Sequence, residues 1–159
     1  MRRRGARICP GLGAGLLALG LALGACAEPP PRFTEAMVLG GVEVSVDELN
    51  AGAKLYGLHC ASCHGFEGKG DGPAARHLNP GPRDLKAGDF VHKSTPGDAL
   101  PTDADLLRVL REGLPGRGMP AWGGMRDEDL RALVAYIKTL SPRWREPVSD
   151  PQRPSAGSE

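Results

Sequence analysis

Apolar side chains recur at helical spacing in three stretches of this chain, and no run alternates long enough to make a persuasive strand. Leu49, Ala53 and Tyr56, with Leu55 at the margin, lie on one face of a segment opened by Ser45-Val46-Asp47-Glu48. That opening fits a capping box, so the pattern predicts a helix from Val46 to about His59. Thr102-Asp103-Ala104-Asp105 starts a second helix bearing Leu106, Leu107, Val109 and Leu110, and Gly113 stops it. A third, from about Asp127 to Leu140, carries Leu130, Leu133, Val134, Ile137 and Leu140 on one face, with acids in its first turn and Pro142 beyond its end. The expected fold class is all-α: three main helices joined by long loops.

The polar stretches divide the rest. From Gly65 to Pro101 the chain is dominated by Gly, Pro, Asp and Lys, with "AARHL" as a possible helical turn, and "LPGRGMPAWGG" reads as a second, rigid loop. A loop as long as the first counts against a small domain unless it wraps something. Residues 26–43 read as a proline-rich tether, 44–141 as the domain and 142–159 as a disordered tail. Three short helices with few aromatics offer little apolar surface for so many loops, a difficulty that a large apolar cofactor at the centre removes.

At 159 residues the chain suits one domain. A net charge of +1, with no patch of Lys and Arg interleaved with aromatics, argues against nucleic acid as a partner. Residues 1–25 read as an export signal: Arg2, Arg3, Arg4 and Arg7, then a Leu/Ala/Gly stretch too short and glycine-rich for a confident span. Leu23-Gly24-Ala25-Cys26 resembles the lipobox of bacterial lipoproteins, which implies lipidation at Cys26; an ordinary secretory signal with a chance cysteine is the alternative. A twin-arginine signal lacks its following hydrophobic pattern. Ala27, where many inner-membrane lipoproteins carry aspartate, leans weakly towards the outer membrane. Cleavage before Cys26 removes four arginines, no acids and Cys9, so the mature chain is acidic and its free thiols are Cys60 and Cys63.

Those two cysteines stand in Cys60-Ala61-Ser62-Cys63-His64. A structural zinc site would need a second CxxC or a spaced pair of histidines, and neither is present. A thioredoxin-like disulfide needs the motif at a helix start after a strand, whereas here the helix comes first. Covalent haem c needs two thiols about one helical turn apart for the two vinyl groups and a histidine directly after, to ligate iron. The pentapeptide supplies all of it, so haem c is the expected cofactor, with His64 an iron ligand.

The sixth ligand separates an electron carrier from a gas-binding or catalytic haem. Met119, held between Gly118 and Pro120, is the favoured candidate, against the usual fate of methionine as core filler. Met125 is the rival at the start of the third helix, and Met37 lies in the tether. His77 or His92 would make a bis-histidine site, and His59 is expected to face solvent.

Over about residues 44–141 the chain resembles the class I c-type cytochromes, the small monohaem carriers of respiratory chains. The resemblance rests on Cys60-Ala61-Ser62-Cys63-His64, on Gly118-Met119-Pro120-Ala121-Trp122 well after it, and on the final "LVAYIKTL" helix. It implies a close crossing of the first and last helices through Gly52 and Tyr56, with Tyr136 the matching aromatic. It also implies a proline carbonyl accepting the Nδ1 proton of His64, with Pro82 in "NPGPRDL" the better candidate and Pro80 the second. The insert "AGDFVHKSTPGDALPT" departs from the family, and is expected to cover a haem edge or propionate. Arg83 or Lys86 could pair with a propionate, although a solvated loop charge is the simpler reading of each.

The resulting expectation is a membrane-anchored, periplasm-facing carrier of single electrons, with no catalytic acid or base. Its partners would be redox proteins: a cytochrome, a copper protein, an oxidase or a reductase. The alternatives are a haem enzyme or gas sensor with an open sixth position, and an electron-transfer subunit of a larger oxidoreductase.

Overall fold

A computed structural model describes residues 32–145; the signal segment, Cys26 and most of the tail lie outside the described residues. The elements run β1 (Met37–Leu39), β2 (Val42–Val44), α1 (Val46–His59), α2 (Ala61–His64), α3 (Asp103–Glu112) and α4 (Asp127–Leu140), with single 3-10 turns at Ala75–His77 and Pro142–Trp144. The three expected helices are there, together with a one-turn helix and a small antiparallel sheet, so the fold is helix-rich rather than all-α. No described helix is long and apolar enough to cross a membrane.

The strands were hidden by their length: three residues cannot show an alternation. Their signal was the pair Gly40-Gly41, whose φ of 62° and 80° suits the tight turns that join twisted strands. Met37 pairs with Val44 and Leu39 with Val42, and Leu39 is fully buried. Gly40 donates to the carbonyl of Trp144 at 2.8 Å and lies against its indole. Both assigned domain edges therefore move. The stretch assigned to a tether is folded from Phe33, whose backbone N–H and carbonyl both bond the side chain of Asn50, and the stretch assigned to a disordered tail is folded through Trp144, which is buried.

α1 and α4 cross at Gly52. A Cβ there would sit 2.0 Å from the carbonyl oxygen of Ala132 and 2.8 Å from the Cβ of Tyr136, so only glycine admits this approach. One turn further, the rings of Tyr56 and Tyr136 meet at 5.0 Å, and Phe33 packs edge-on against Tyr136 at 6.1 Å. Leu49, Leu130 and Leu133, all fully buried, complete the crossing. Tyr56 and Tyr136 thus stand where the resemblance put them.

Caps set the helix starts. Ser45 accepts from the Glu48 N–H at 3.3 Å, which is one half of the expected box. The complete reciprocal box occurs instead at α3, between Thr102 and Asp105. α3 is tied to α4 by an ion pair between Asp103 and Lys138, whose buried stem brings the ammonium 5.1 Å from the Trp144 ring.

Candidate functional site

The residues between Cys60 and Ala74 fold as a turn enclosed by its own continuation. Cys60 ends α1 by donating to the Tyr56 carbonyl at 2.8 Å, and α2 follows at once, with Cys63 and His64 both donating to the Cys60 carbonyl. Residues three apart on a helical turn share a face, so both thiols point the same way. Gly70, Gly72 and Ala74 then donate back to the carbonyls of His64, Cys63 and Ser62. A Cβ on Gly72 would fall 2.4 Å from the Ser62 carbonyl, and on Gly65 2.1 Å from the Asp71 carboxylate. Gly72 is there because the chain passes against the backbone it wraps, and Gly65 because the Asp71 carboxylate occupies the place of a side chain. Tyr56 completes the enclosure, donating its buried hydroxyl to the Gly65 carbonyl at 2.8 Å.

Cys60, Cys63 and His64 line one side of a cleft of about 1240 Å³, including its solvent-open mouth. Its walls are mainly apolar: Leu106, Val109 and Leu110 from α3, Ile137 from α4, and Leu78 and Leu114 from the loops. Among the described residues, the lining includes Arg83 and Arg117 but no carboxylate. Burial, with the neighbouring Cys63, pushes the Cys60 thiol up to about 12, so before any chemistry it is a protonated thiol. Burial also holds His64 below the usual imidazole range, against the opposing effect of its bond to the Arg83 carbonyl. With Nδ1–H donating to that oxygen at 3.2 Å, Nε2 keeps its lone pair, the form a metal requires.

The acceptor corrects the assignment to Pro82. The His64 ring reaches the carbonyl of Arg83, one residue later, and neither Pro82 nor Pro80 serves as its acceptor. The Pro82 carbonyl oxygen is turned against Gly70 instead, 2.5 Å from where a Cβ on that glycine would lie. Pro80, Gly81 and Pro82 still line the cleft.

Met119 lines the same cleft, on the loop between α3 and α4. Its carbonyl accepts from the Leu114 N–H at 3.0 Å, closing a short bridge. Gly113, at φ 65°, lies so near that a Cβ would be 2.7 Å from the Met119 carbonyl, and a Cβ on Gly118 would meet Leu78 at 2.6 Å. Trp122 donates to the Leu110 carbonyl and fixes the far end. The rival ligands separate by position: Met125 and Met37 are packed against the core and outside the cleft lining, and His77 accepts from Arg76 at 3.0 Å, away from it. His92 is in the lining. His59 also lines the cleft, its ring 5.0 Å from that of Trp122, and so is half-buried rather than facing solvent. Arg83 pairs with Asp89 at 3.4 Å, and Lys86 with Glu67 at 3.0 Å outside the lining.

Two thiols on one face of a turn, an imidazole with a free Nε2, a thioether on another wall and apolar sides form a donor set that fits a haem joined through thioethers. The family model for cytochrome c oxidase, cbb3-type, subunit III matches residues 47–137. The chain belongs to this family of c-type cytochromes. As such it binds haem c covalently, one haem according with the short domain and the single motif, and it transfers electrons.

Similar proteins span several assemblies. The cytochrome is 31% identical over 106 residues to cytochrome c oxidase subunit 2 of Alkalihalophilus pseudofirmus, covering 63% of this chain and 29% of that protein. It is 31% identical over 90 residues to the cbb3-type oxidase subunit FixP of Azorhizobium caulinodans, covering 56% and 26%. The match therefore spans less than a third of either oxidase subunit. Against cytochrome c-554(547) of Halothiobacillus neapolitanus, at 31% over 94 residues, it covers 57% of this chain and 93% of the relative. Among solved structures, a chain of the reducing HAO-like protein complex of Kuenenia stuttgartiensis superposes with a TM-score of 0.57 at 36% identity, covering 61% of this chain and 45% of that one.

Proposed function

We propose that this cytochrome is a monohaem carrier passing single electrons between redox proteins, with Cys60 and Cys63 as the thioether residues and His64 and Met119 as the axial pair. The haem supplies the one-electron Fe(III)/Fe(II) couple. The chain's own residues do the rest. The wrapped turn at 60–74 presents both thiols to one side, and the Arg83 carbonyl orients His64 and increases its donor strength. The glycine-clamped loop holds the Met119 thioether, a soft neutral donor that favours the reduced metal. The observation that carries this reading is that Cys60, Cys63, His64 and Met119 line one apolar cleft.

The chain is also proposed to be exported by residues 1–25 and held at the periplasmic side of the envelope by a lipid on Cys26, the outer membrane being favoured. A second role, as a fixed electron-transfer subunit of an oxidoreductase, draws support from three of the similar proteins, two oxidase subunits and a chain of a complex. Mild detergent extraction followed by size analysis separates a free carrier from a stoichiometric subunit.

The deciding experiment is an absorption spectrum of the protein matured with haem c, oxidised, reduced, and reduced under carbon monoxide. Sharp low-spin bands, a weak far-red sulfur-to-iron band when oxidised and no response to carbon monoxide are expected. Met119→Ala should lose the far-red band while the haem stays covalently attached. A rapid carbon monoxide shift in the unsubstituted protein, or a far-red band that survives Met119→Ala, overturns the assignment.

A further inference from the structure

The insert between residues 87 and 102 has no regular secondary structure, yet it supplies Phe90, Val91 and His92 to the cleft lining. A segment without backbone pairing must be held by side chains. Within the loop, the Lys93 ammonium donates to the carbonyls of Thr95 and Gly97 at 2.9 and 2.8 Å, and the Thr95 hydroxyl donates to that of Leu100 at 3.0 Å. These bonds shape the loop without attaching it to anything. Before the cleft-lining residues, Arg143 holds the Gly88 carbonyl and Phe90 rests on Trp144; after them, the attachment comes from one carboxylate.

Asp105, 5% exposed in the first turn of α3, accepts four hydrogen bonds. Two come from Thr102, backbone at 3.0 Å and hydroxyl at 2.8 Å, and belong to the helix cap. The other two come from Ser94, backbone and hydroxyl each at 3.0 Å, eleven residues away. The capping box itself needs only the Thr102 N–H on the carboxylate and, in return, the Asp105 N–H on the Thr102 hydroxyl at 3.1 Å. The second pair binds the loop, two residues after His92, to the helix whose Leu106, Val109 and Leu110 form another wall of the same cleft. Burial opposes ionisation of this carboxyl, but the donors from Thr102 and Ser94 outweigh it and keep the group a carboxylate, the form that can accept all four.

We infer that Asp105 is a positioning residue for the redox site: through Ser94 it holds the Phe90–His92 wall of the cleft in place, and so sets how far water reaches the cofactor. The inference rests on haem occupying this cleft, as proposed above. Excluding water favours the reduced iron, which carries one positive charge fewer, and raises the potential. Loosening the wall lowers it.

The test is the midpoint potential of the matured protein carrying Asp105→Asn or Ser94→Ala. The two possible roles of Asp105 have opposite signs. Neutralising a nearby anion destabilises Fe(III) and moves the potential up, whereas releasing the wall moves it down. Asp105→Asn should lower the potential, changing the Fe(III)/Fe(II) ratio by up to about tenfold, or ~59 mV for one electron. Ser94→Ala, which keeps both the charge and the helix cap, should give a smaller downward shift. An unchanged or raised potential in Asp105→Asn overturns the inference. An unshifted Ser94→Ala overturns the link through Ser94 even where Asp105→Asn fails to fold. Both variants should retain the low-spin spectrum and its far-red band. Loss of these from the unsubstituted protein would count against the axial ligands instead.

Discussion

The α1/α4 crossing and the loop from 87 to 102 sit on the same small domain and are held by opposite means. The crossing is stabilised by burial: Leu49, Tyr56, Leu130, Leu133 and Tyr136 are inaccessible to solvent, and Gly52 lets two backbones touch. The loop contributes little to the core and is fixed by polar bonds to a few side chains, Asp105 on one flank and Arg143 on the other. Arg143 donates to the carbonyls of Gly88 and Asp98, while Phe90 rests edge-on to Trp144 at 6.5 Å. Burial is non-directional and tolerates small adjustments, but not added volume at its tightest point. A bonded loop has the reverse weakness, since a single lost donor or acceptor frees a whole segment.

The sharpest way to break the crossing is Gly52→Ala. Helix propensity alone would favour alanine by about 1 kcal/mol. The clash with the Ala132 carbonyl should dominate and cost about 3 kcal/mol, read as a lower midpoint in thermal or denaturant unfolding. A neutral result would show that the helices can move apart freely.

Arg143→Ala attacks the loop. It removes charge-assisted bonds to Gly88 and Asp98 from a partly buried guanidinium, and a loss of about 2 kcal/mol is expected. Hydrogen exchange should speed up at residues 88–98 and stay slow in α1 and α4. Equal acceleration everywhere would mean that the two regions do not differ as described.

The two tyrosines sharpen the contrast within the crossing. Tyr56→Phe strips a bonded buried hydroxyl and leaves the Gly65 carbonyl without its donor, costing about 1 kcal/mol. The Tyr136 hydroxyl is buried with no partner among the described residues, so Tyr136→Phe should be close to neutral, within about 0.5 kcal/mol. Equal losses in the two would refute the distinction.

Acid is the mildest probe. The Asp105 carboxyl lies well below its ordinary range in the folded protein, so its stabilising effect is complete above the unfolded value of about 4 and disappears as pH falls through the lower folded value. Loop exchange at residues 88–98 should be independent of Asp105 titration from pH 5 to 7 and rise only in stronger acid. A rise between pH 5 and 7 that Asp105→Asn abolishes would contradict this.

Much of the molecule follows from short-range sequence. Ser45, Thr102 and Gly113 stand directly beside the helix ends and Pro142 two residues beyond one, because caps and breakers act over one turn. The spacing from Cys60 to His64 places two thiols on a common face by helix geometry alone, and Gly118-Met119-Pro120 announces a constrained loop. Tertiary structure decided what depends on distant partners. It turned the Arg83 carbonyl rather than that of Pro82 towards His64, set the His59 ring at a tilt against Trp122, and tied the turn between two three-residue strands to Trp144, a hundred residues on. It also gave Asp105 a second task beyond its helix cap. Caps and turn spacing are encoded by neighbours and can be read directly. The choice among carbonyls and the attachment of a loop are settled by which groups the packed helices bring within 3 Å, and no local pattern records that.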